Sequence, residues 1–307
     1  MKINMLHAFD LFSKPEYLKN PFNFIGGKDK LLPQIYDNFN WDCKTLIEPF
    51  AGSAVVSANF GHNFDKVILN DGCYQLIRTI QEFYKKDTKD IEELIDFTID
   101  AFELSKTNKE GYLELREHYN EYFSEPNCFN PILFYCLVTH SFNHMIHINS
   151  SGGFSVPFGA NRSYFSNSLR EKLVKYCHAI KKLDIQFYSE DFEELFDCIE
   201  AGGMALSDCF LYIDPPYLAS DSAYSRIYGL KWTEEKEKAL YRRIDEISEL
   251  GGKFLLSNVV ENNGNKNEIL EKWMKNYEVV EVEKEYKNCN HQRKNKGFTR
   301  EVLVRNY

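Results

Sequence analysis

Short apolar runs that stop at an acid, a proline or a glycine alternate along the chain with stretches of helical spacing. Together they predict an α/β protein. The clearest run is Phe210-Leu211-Tyr212-Ile213, closed by Asp214-Pro215-Pro216-Tyr217. Its unbroken apolar character suits a strand buried on both faces of a parallel sheet. Two prolines cannot donate to a ladder, so the strand ends at Asp214. Similar runs predict strands over Thr45–Phe50, Lys66–Asp71, Ile185–Tyr188, Lys253–Asn258, Glu278–Val282 and Glu301–Val304. Helical spacing predicts helices over Val55–Phe60, Leu76–Tyr84, Asp90–Phe123, Pro131–His144 and Ser168–Leu183. Two more are predicted from Thr233, an N-cap, to a stop at Gly251-Gly252, and around Ile269–Met274.

One region breaks this alternation. His147-Ile148-Asn149 and Phe154-Ser155-Val156 flank Ser150-Ser151-Gly152-Gly153, the pattern of a hairpin with a small polar tip. The basic helix Ser168–Leu183 then returns the chain to the core. Residues 86–184 are therefore read as an inserted helical domain bearing a hairpin near 147–159, and 1–85 with 185–307 as the sheet domain. Leu218 to Gly229 and Asn288 to Gly297 read as loops.

Composition narrows the class only a little. The 307 residues suffice for a large core, and no apolar run approaches the ~18 residues of a membrane span. The start, Met1 to Asp10, has no long apolar segment, so no secretory signal is expected. Eight scattered cysteines without a CxxC pair fit a reducing cytoplasm. The net charge of −9 does not advertise a nucleic-acid binder, but Arg162 to Lys182 and Lys287 to Arg305 are basic.

Candidate chemistry lies at the strand ends, where α/β sheets bind ligands. Glu48-Pro49-Phe50-Ala51-Gly52 turns the chain after the first strand, and Asp71 ends the second, 19 residues beyond Gly52. That interval is close to the ~20 separating a nucleotide loop from an acid that holds ribose hydroxyls. Gly26-Gly27-Lys28 lets the backbone approach an anion or a small ligand. A triphosphate-binding P-loop is rejected, because Phe22 stands at its first glycine position and Asp29 follows Lys28. His140 and His144 would share a helical face, but no carboxylate completes a zinc motif, so no metal is expected.

Taken in order, these motifs resemble the Dam-like, D12 class of adenine-specific DNA methyltransferases, and within it the phage members. The resemblance rests on Phe24-Ile25-Gly26-Gly27-Lys28, then Ile47-Glu48-Pro49-Phe50-Ala51-Gly52, then Gly153-Phe154-Ser155-Val156-Pro157-Phe158-Gly159, then Asp214-Pro215-Pro216-Tyr217. It implies a Rossmann-like sheet that binds S-adenosylmethionine, with an inserted helical DNA-recognition domain. It also implies N6 methylation of adenine in double-stranded DNA after base flipping. Phe24, Gly26, Gly27, Lys28, Glu48, Phe50, Gly52, Asp71 and Asp214 are implied as cofactor contacts. Asp214, Pro215, Pro216 and Tyr217 are implied as the catalytic group. DNA contacts are implied for Arg116, Asn143, Ser150, Ser151, Pro157, Asn161 and Arg162.

The chain departs from the family pattern at several points. Ala54 stands for the second glycine of the turn, Phe24 for a Trp or Tyr, and Ser155 for Asn. Ala160-Asn161 stand where GATC-reading members carry Arg or Lys, which argues against carrying a GATC target over. A cytoplasmic monomer is expected, with a restriction endonuclease of the same specificity as a possible indirect partner. N4-cytosine methylation and a non-catalytic cofactor- or DNA-binding module remain the alternatives.

Overall fold

The computed structural model describes residues 16–23, 27–123, 129–149, 151–219, 232–283 and 298–307. The strands are β1 (Thr45–Glu48), β2 (Lys66–Asn70), β3 (Ile185–Tyr188), β4 (Cys209–Ile213), β5 (Lys253–Asn262), β6 (Asn265–Lys266), β7 (Glu278–Glu281) and β8 (Thr299–Arg305). They form one sheet in the order β3-β2-β1-β4-β5-β8-β7, with β6 paired to β5. β1 to β5 run parallel, whereas β8 is antiparallel to both β5 and β7. The chain winds outward from β1 to β3, then returns to the other side of β1 at β4. The crevice beyond the carboxyl ends of β1 and β4 is therefore the switch point of an open α/β sheet.

Side-chain alternation explains why the strands read as continuous apolar runs. Leu46, Val67, Leu69, Phe210, Tyr212, Leu255 and Leu303 join one core. Their neighbours Ile47, Ile68, Leu211, Ile213, Leu256 and Val304 join the other. Both faces are thus covered, as parallel strands require. Pro49 ends β1 at Glu48, two residues before the predicted end, because proline has no ladder donor.

The helices are α1 (Leu32–Asp37), α2 (Val55–Phe60), α3 (Tyr74–Lys85), α4 (Thr88–Ala101), α5 (Lys109–Phe123), α6 (Pro131–His140), α7 (Asn167–Ile180), α8 (Phe192–Ala201), α9 (Glu234–Glu249) and α10 (Glu268–Trp273). Side-chain caps set many of their starts: Asp87, Asn130, Ser166, Asp191, Thr233 and Asn267 each accept an orphan first-turn N–H. The predicted helix over 90–123 is two helices, separated around Glu103, whose φ is 49°. Residues of α4 to α7, including Ile91, Ile95, Tyr112, Phe134, Leu173 and Tyr176, belong to the same core as Leu46 and Val67 of the sheet. Among the described residues no helix is long and apolar enough to cross a membrane.

α6 stops at His140, short of the predicted His144. Ser141 is extended, with φ −76° and ψ 160°, and its hydroxyl donates to the Val138 carbonyl at 2.9 Å and the Met145 carbonyl at 3.1 Å. Asn143 and His144 then both have positive φ. The shared helical face of His140 and His144 is therefore not formed. His140 is buried, its Nδ1–H donates to the Cys136 carbonyl at 2.8 Å, and burial pushes its pKa down to about 4. Among the described residues no three His, Cys, Asp or Glu side chains gather in a metal-binding group.

Candidate active site

Asp214 and Tyr217 leave the carboxyl end of β4, and Lys28 reaches them from the 3-10 turn Lys28–Lys30. Lys28 Nζ lies 2.9 Å from Asp214 Oδ1 and 3.5 Å from Glu301 Oε1. It also donates to the Tyr217 hydroxyl and sits 4.9 Å from that ring's centre. The Tyr217 hydroxyl in turn donates to Asp214 Oδ1 at 2.9 Å, and lies 3.4 Å from Glu301 Oε1. Pro215, having no N–H, is buried beside them, and Pro216 is half-buried.

Burial and charge oppose each other within this group. Burial alone would lower the Lys28 ammonium, but Asp214, Tyr212 and Glu301 outweigh it and raise its pKa. Burial raises the Asp214 carboxyl above the usual range, and Lys28 offsets only part of this. The Tyr212 hydroxyl is buried with no hydrogen-bond partner among the described residues, in the field of Asp214, Lys28, Tyr217 and Glu48.

The neighbouring strand ends hold the second half of the site. Gly52 N–H donates to Asp71 Oδ2, and Cys73 N–H to Asp71 Oδ1, each at 2.9 Å. The 19-residue interval seen in the sequence is thus closed by a direct hydrogen bond. Each Asp71 oxygen still has a lone pair to offer. Gly52 and Ala54 both have φ of 52°, so the turn is left-handed at two positions. Glu48 is buried, accepts the Ser57 N–H at 2.8 Å, and takes the Ser57 hydroxyl on the same oxygen. Burial pushes its pKa up to about 8, and the charges of Asp214 and Asp71 add to the rise despite the Ser57 bonds. Phe50 is half-buried and packs against Phe192 and Trp232, with centroids 5.6 and 5.5 Å away.

These contacts bring Gly27, Lys28, Glu48, Phe50, Gly52, Asp71, Asp214 and Tyr217 to one edge of the sheet. Phe24 and Gly26 lie outside the described residues, as does Ser150 of the hairpin and most of the two predicted loops. Sequence reasoning missed Glu301 and Trp232. Trp232 donates its indole N–H to Glu237, a fully buried carboxylate. Glu237 also accepts from Asn258 at 3.1 Å and Asn267 at 2.7 Å. An acid on the inner face of an amphipathic helix was the one available signal for that cluster.

The hairpin is an irregular ribbon. Ile148 pairs with Phe154 and Ser141 with Phe158 as single antiparallel bridges. One face of α5 holds it. The Tyr112 hydroxyl and Arg116 donate to the Val156 carbonyl at 2.7 and 3.2 Å. Asn120 takes both sides of Phe154, accepting its N–H at 2.7 Å and donating to its carbonyl at 3.1 Å. Arg116, expected at DNA, therefore braces the hairpin backbone. Ser151, Pro157, Asn161 and Arg162 are exposed, and Asn143 is half-buried on a left-handed turn. On α7, Arg170 is bound to Glu92 and Asp96 of α4.

Comparison with known proteins agrees with this layout. The family model for D12 class N6 adenine-specific DNA methyltransferase matches residues 24–288. Modification methylase StsI of Streptococcus sanguinis is 35% identical over 300 residues, which is 96% of this chain and 44% of that protein. Type II methyltransferase M.FokI of Planomicrobium okeanokoites is 32% identical over 294 residues, 95% of this chain and 43% of that protein. A DNA adenine methylase of Vibrio cholerae is 26% identical over 247 residues, covering 76% of this chain and 78% of its own length. The chain thus spans less than half the length of the first two relatives. With a matched segment that runs from the glycine motif through the hairpin and the Asp-Pro-Pro-Tyr turn, the chain belongs to the D12 class of N6 adenine-specific DNA methyltransferases.

Proposed function

We propose that the chain transfers a methyl group from S-adenosylmethionine to N6 of adenine in double-stranded DNA, with the target base turned out of the duplex. One observation carries the reading. The Asp214 to Tyr217 turn and the Glu48–Gly52–Asp71 turn open at adjacent strand ends of one edge, near enough for the Asp214 charge to raise the Glu48 and Asp71 carboxyls.

The residues suit the methyl donor. Asp71 has lone pairs left for ribose hydroxyls, Phe50 offers an aromatic face, and Tyr212 carries an orphaned hydroxyl beside the site. When bound, S-adenosylmethionine supplies a methyl carbon already activated by a sulfonium. The Asp214 carboxylate and the Pro215 carbonyl accept the two amine hydrogens of adenine. That draws the nitrogen lone pair out of conjugation and aims it. The prolines hold the acceptors in place, so little reorganisation remains at the moment of reaction. Asp214 must be ionised to accept, and the Lys28 ammonium favours that state against burial.

Segment 86–184 is proposed as the target-reading part, with the exposed Ser151, Pro157, Asn161 and Arg162 toward DNA. One relative is named a modification methylase and another a type II methyltransferase, which supports a role in protecting cytoplasmic DNA from an endonuclease of the same specificity. The deciding experiment is mass spectrometry of nucleosides from DNA incubated with the protein and S-adenosylmethionine. N6-methyladenine is expected. N4-methylcytosine instead, or no methylated base at all, refutes the reading. Protection of that DNA from candidate restriction enzymes then identifies the site.

A further inference from the structure

Glu301 is the one member of the Lys28 group that no sequence motif pointed to. It lies near the start of β8, opposite Val259 of β5. Because β8 runs antiparallel to β5, its first residues arrive at the same edge as the carboxyl ends of β4 and β5. The register slips between Val259 and Glu261, so Val260 is an extra residue directly beside the Val259–Glu301 pair. Bulges of this kind re-aim a side chain next to a site. The adjacent Arg300 makes an ordinary surface pair with Glu281 of β7 at 2.6 Å. Glu301 is 8% exposed and faces Lys28 and Tyr217.

Asp214 Oδ1 accepts from both Lys28 and Tyr217. A carboxylate oxygen has two in-plane lone pairs, so both are already engaged. An amine hydrogen that comes to this oxygen must displace one donor, and a buried donor left without an acceptor is costly, the more so if it is charged. Glu301 removes that obstacle. Its Oε1 is already 3.5 Å from the ammonium and 3.4 Å from the hydroxyl. A movement of about 0.5 Å brings either to normal hydrogen-bond length.

Resting on the proposed methyl transfer, we propose that Glu301 is a positioning residue that receives the Lys28 ammonium and the Tyr217 hydroxyl when the target amine takes up Asp214 Oδ1. No bond is made or broken in the exchange. Among the described residues, the titratable groups facing Asp214 are Lys28, Tyr217, Glu301, Tyr212, Glu48 and Asp71. Of these, Glu301 adds a negative charge that raises the Asp214 carboxyl.

The test is single-turnover methylation of an adenine-containing duplex across pH by the wild-type chain, Glu301→Gln and Glu301→Asp, with thermal unfolding alongside. Glu301→Gln is expected to slow the transfer on the order of tenfold. It should leave the KM values for duplex and donor within about threefold. The acid limb of its rate profile should move to lower pH, because a neighbouring negative charge is gone. Glu301→Asp, whose carboxylate is drawn back by one methylene, should slow transfer with its acid limb in place. A Glu301→Gln enzyme with wild-type rate and limb overturns the proposal. So does a rate loss that only tracks a lost folded fraction. If Glu301→Gln does not fold, wild-type turnover by Glu301→Asp overturns it instead. A wild-type chain that methylates nothing refutes the functional reading first, and this inference with it.

Discussion

Glu48 gives the sharpest quantitative prediction. The residue is 1% exposed, and its pKa rises from the ordinary 4.5 to about 8. The folded protein therefore holds a proton that the unfolded chain has lost between those two values. Stability contributed at this position is fully present below the unfolded pKa and falls as pH rises toward the folded pKa. This is the reverse of the usual carboxylate case, in which an ion pair lowers the folded value. Each pH unit of that window is worth about 1.4 kcal/mol, so the loss is on the order of 3 kcal/mol by pH 7, and roughly 5 once both states are ionised. Glu48→Gln keeps an oxygen for the Ser57 N–H and hydroxyl and removes the titration. Urea unfolding of both proteins from about pH 5 to about pH 9 should show the wild type losing ground to the variant steadily and then levelling off. Asp71 and Asp214 titrate in both proteins, so their own contributions largely cancel in the difference. A stability difference that is flat, or that grows in favour of the wild type as pH rises, refutes the reasoning.

Further expectations concern the turn, the acceptor and the hairpin. Asp214→Ala should lower the single-turnover rate by at least about a hundredfold. Duplex affinity, read by fluorescence anisotropy, should stay within about threefold of wild type; a parallel loss of binding would make the residue structural. Ala54 occupies a left-handed conformation that costs an L-residue about 1–2 kcal/mol. Ala54→Gly relieves this strain but gives up a buried methyl and adds unfolded-chain entropy, so its stability should stay within about 1 kcal/mol of wild type. Ala54→Val, β-branched at positive φ, should lose more than about 2 kcal/mol, and equal denaturation midpoints for the two variants would contradict the argument. Asn120→Ala leaves the Phe154 N–H and carbonyl without their side-chain partner. It should speed amide exchange along 147–158 and weaken duplex binding, while donor binding measured by calorimetry holds. Unchanged exchange would show that the hairpin does not depend on α5.

The sheet was legible because its strands are covered on both faces, which leaves unbroken apolar runs such as Phe210 to Ile213. Thr233 likewise announced a helix start through local capping chemistry. The strand-end acids Asp71 and Asp214 were legible for the same reason, since each closes a run. What stayed hidden depends on contacts far apart in sequence. Glu301 sits at the polar start of a short apolar run, and only the pairing of β8 with β5 and a bulge at Val260 bring it to Lys28. Arg116 was implied at DNA by the resemblance alone, and its bond to the Val156 carbonyl, 40 residues away, had no local signal. The end of α6 was misjudged because the Ser141 hydroxyl and the hairpin strand beside it, not any local breaker, turn the chain.

The shared core of the sheet and the helices α4 to α7 has a practical consequence for engineering. Tyr176 of α7 donates its hydroxyl to the Ser53 carbonyl at 2.8 Å, inside the turn between β1 and α2. A swap of the 86–184 segment between relatives, made to change the sequence that is modified, would therefore transplant part of the wall behind the methyl-donor turn. Chimeras cut at those borders should lose donor affinity even when the new hairpin folds, whereas exchanges confined to the exposed Pro157, Ala160, Asn161, Arg162 and Tyr164 leave that wall intact.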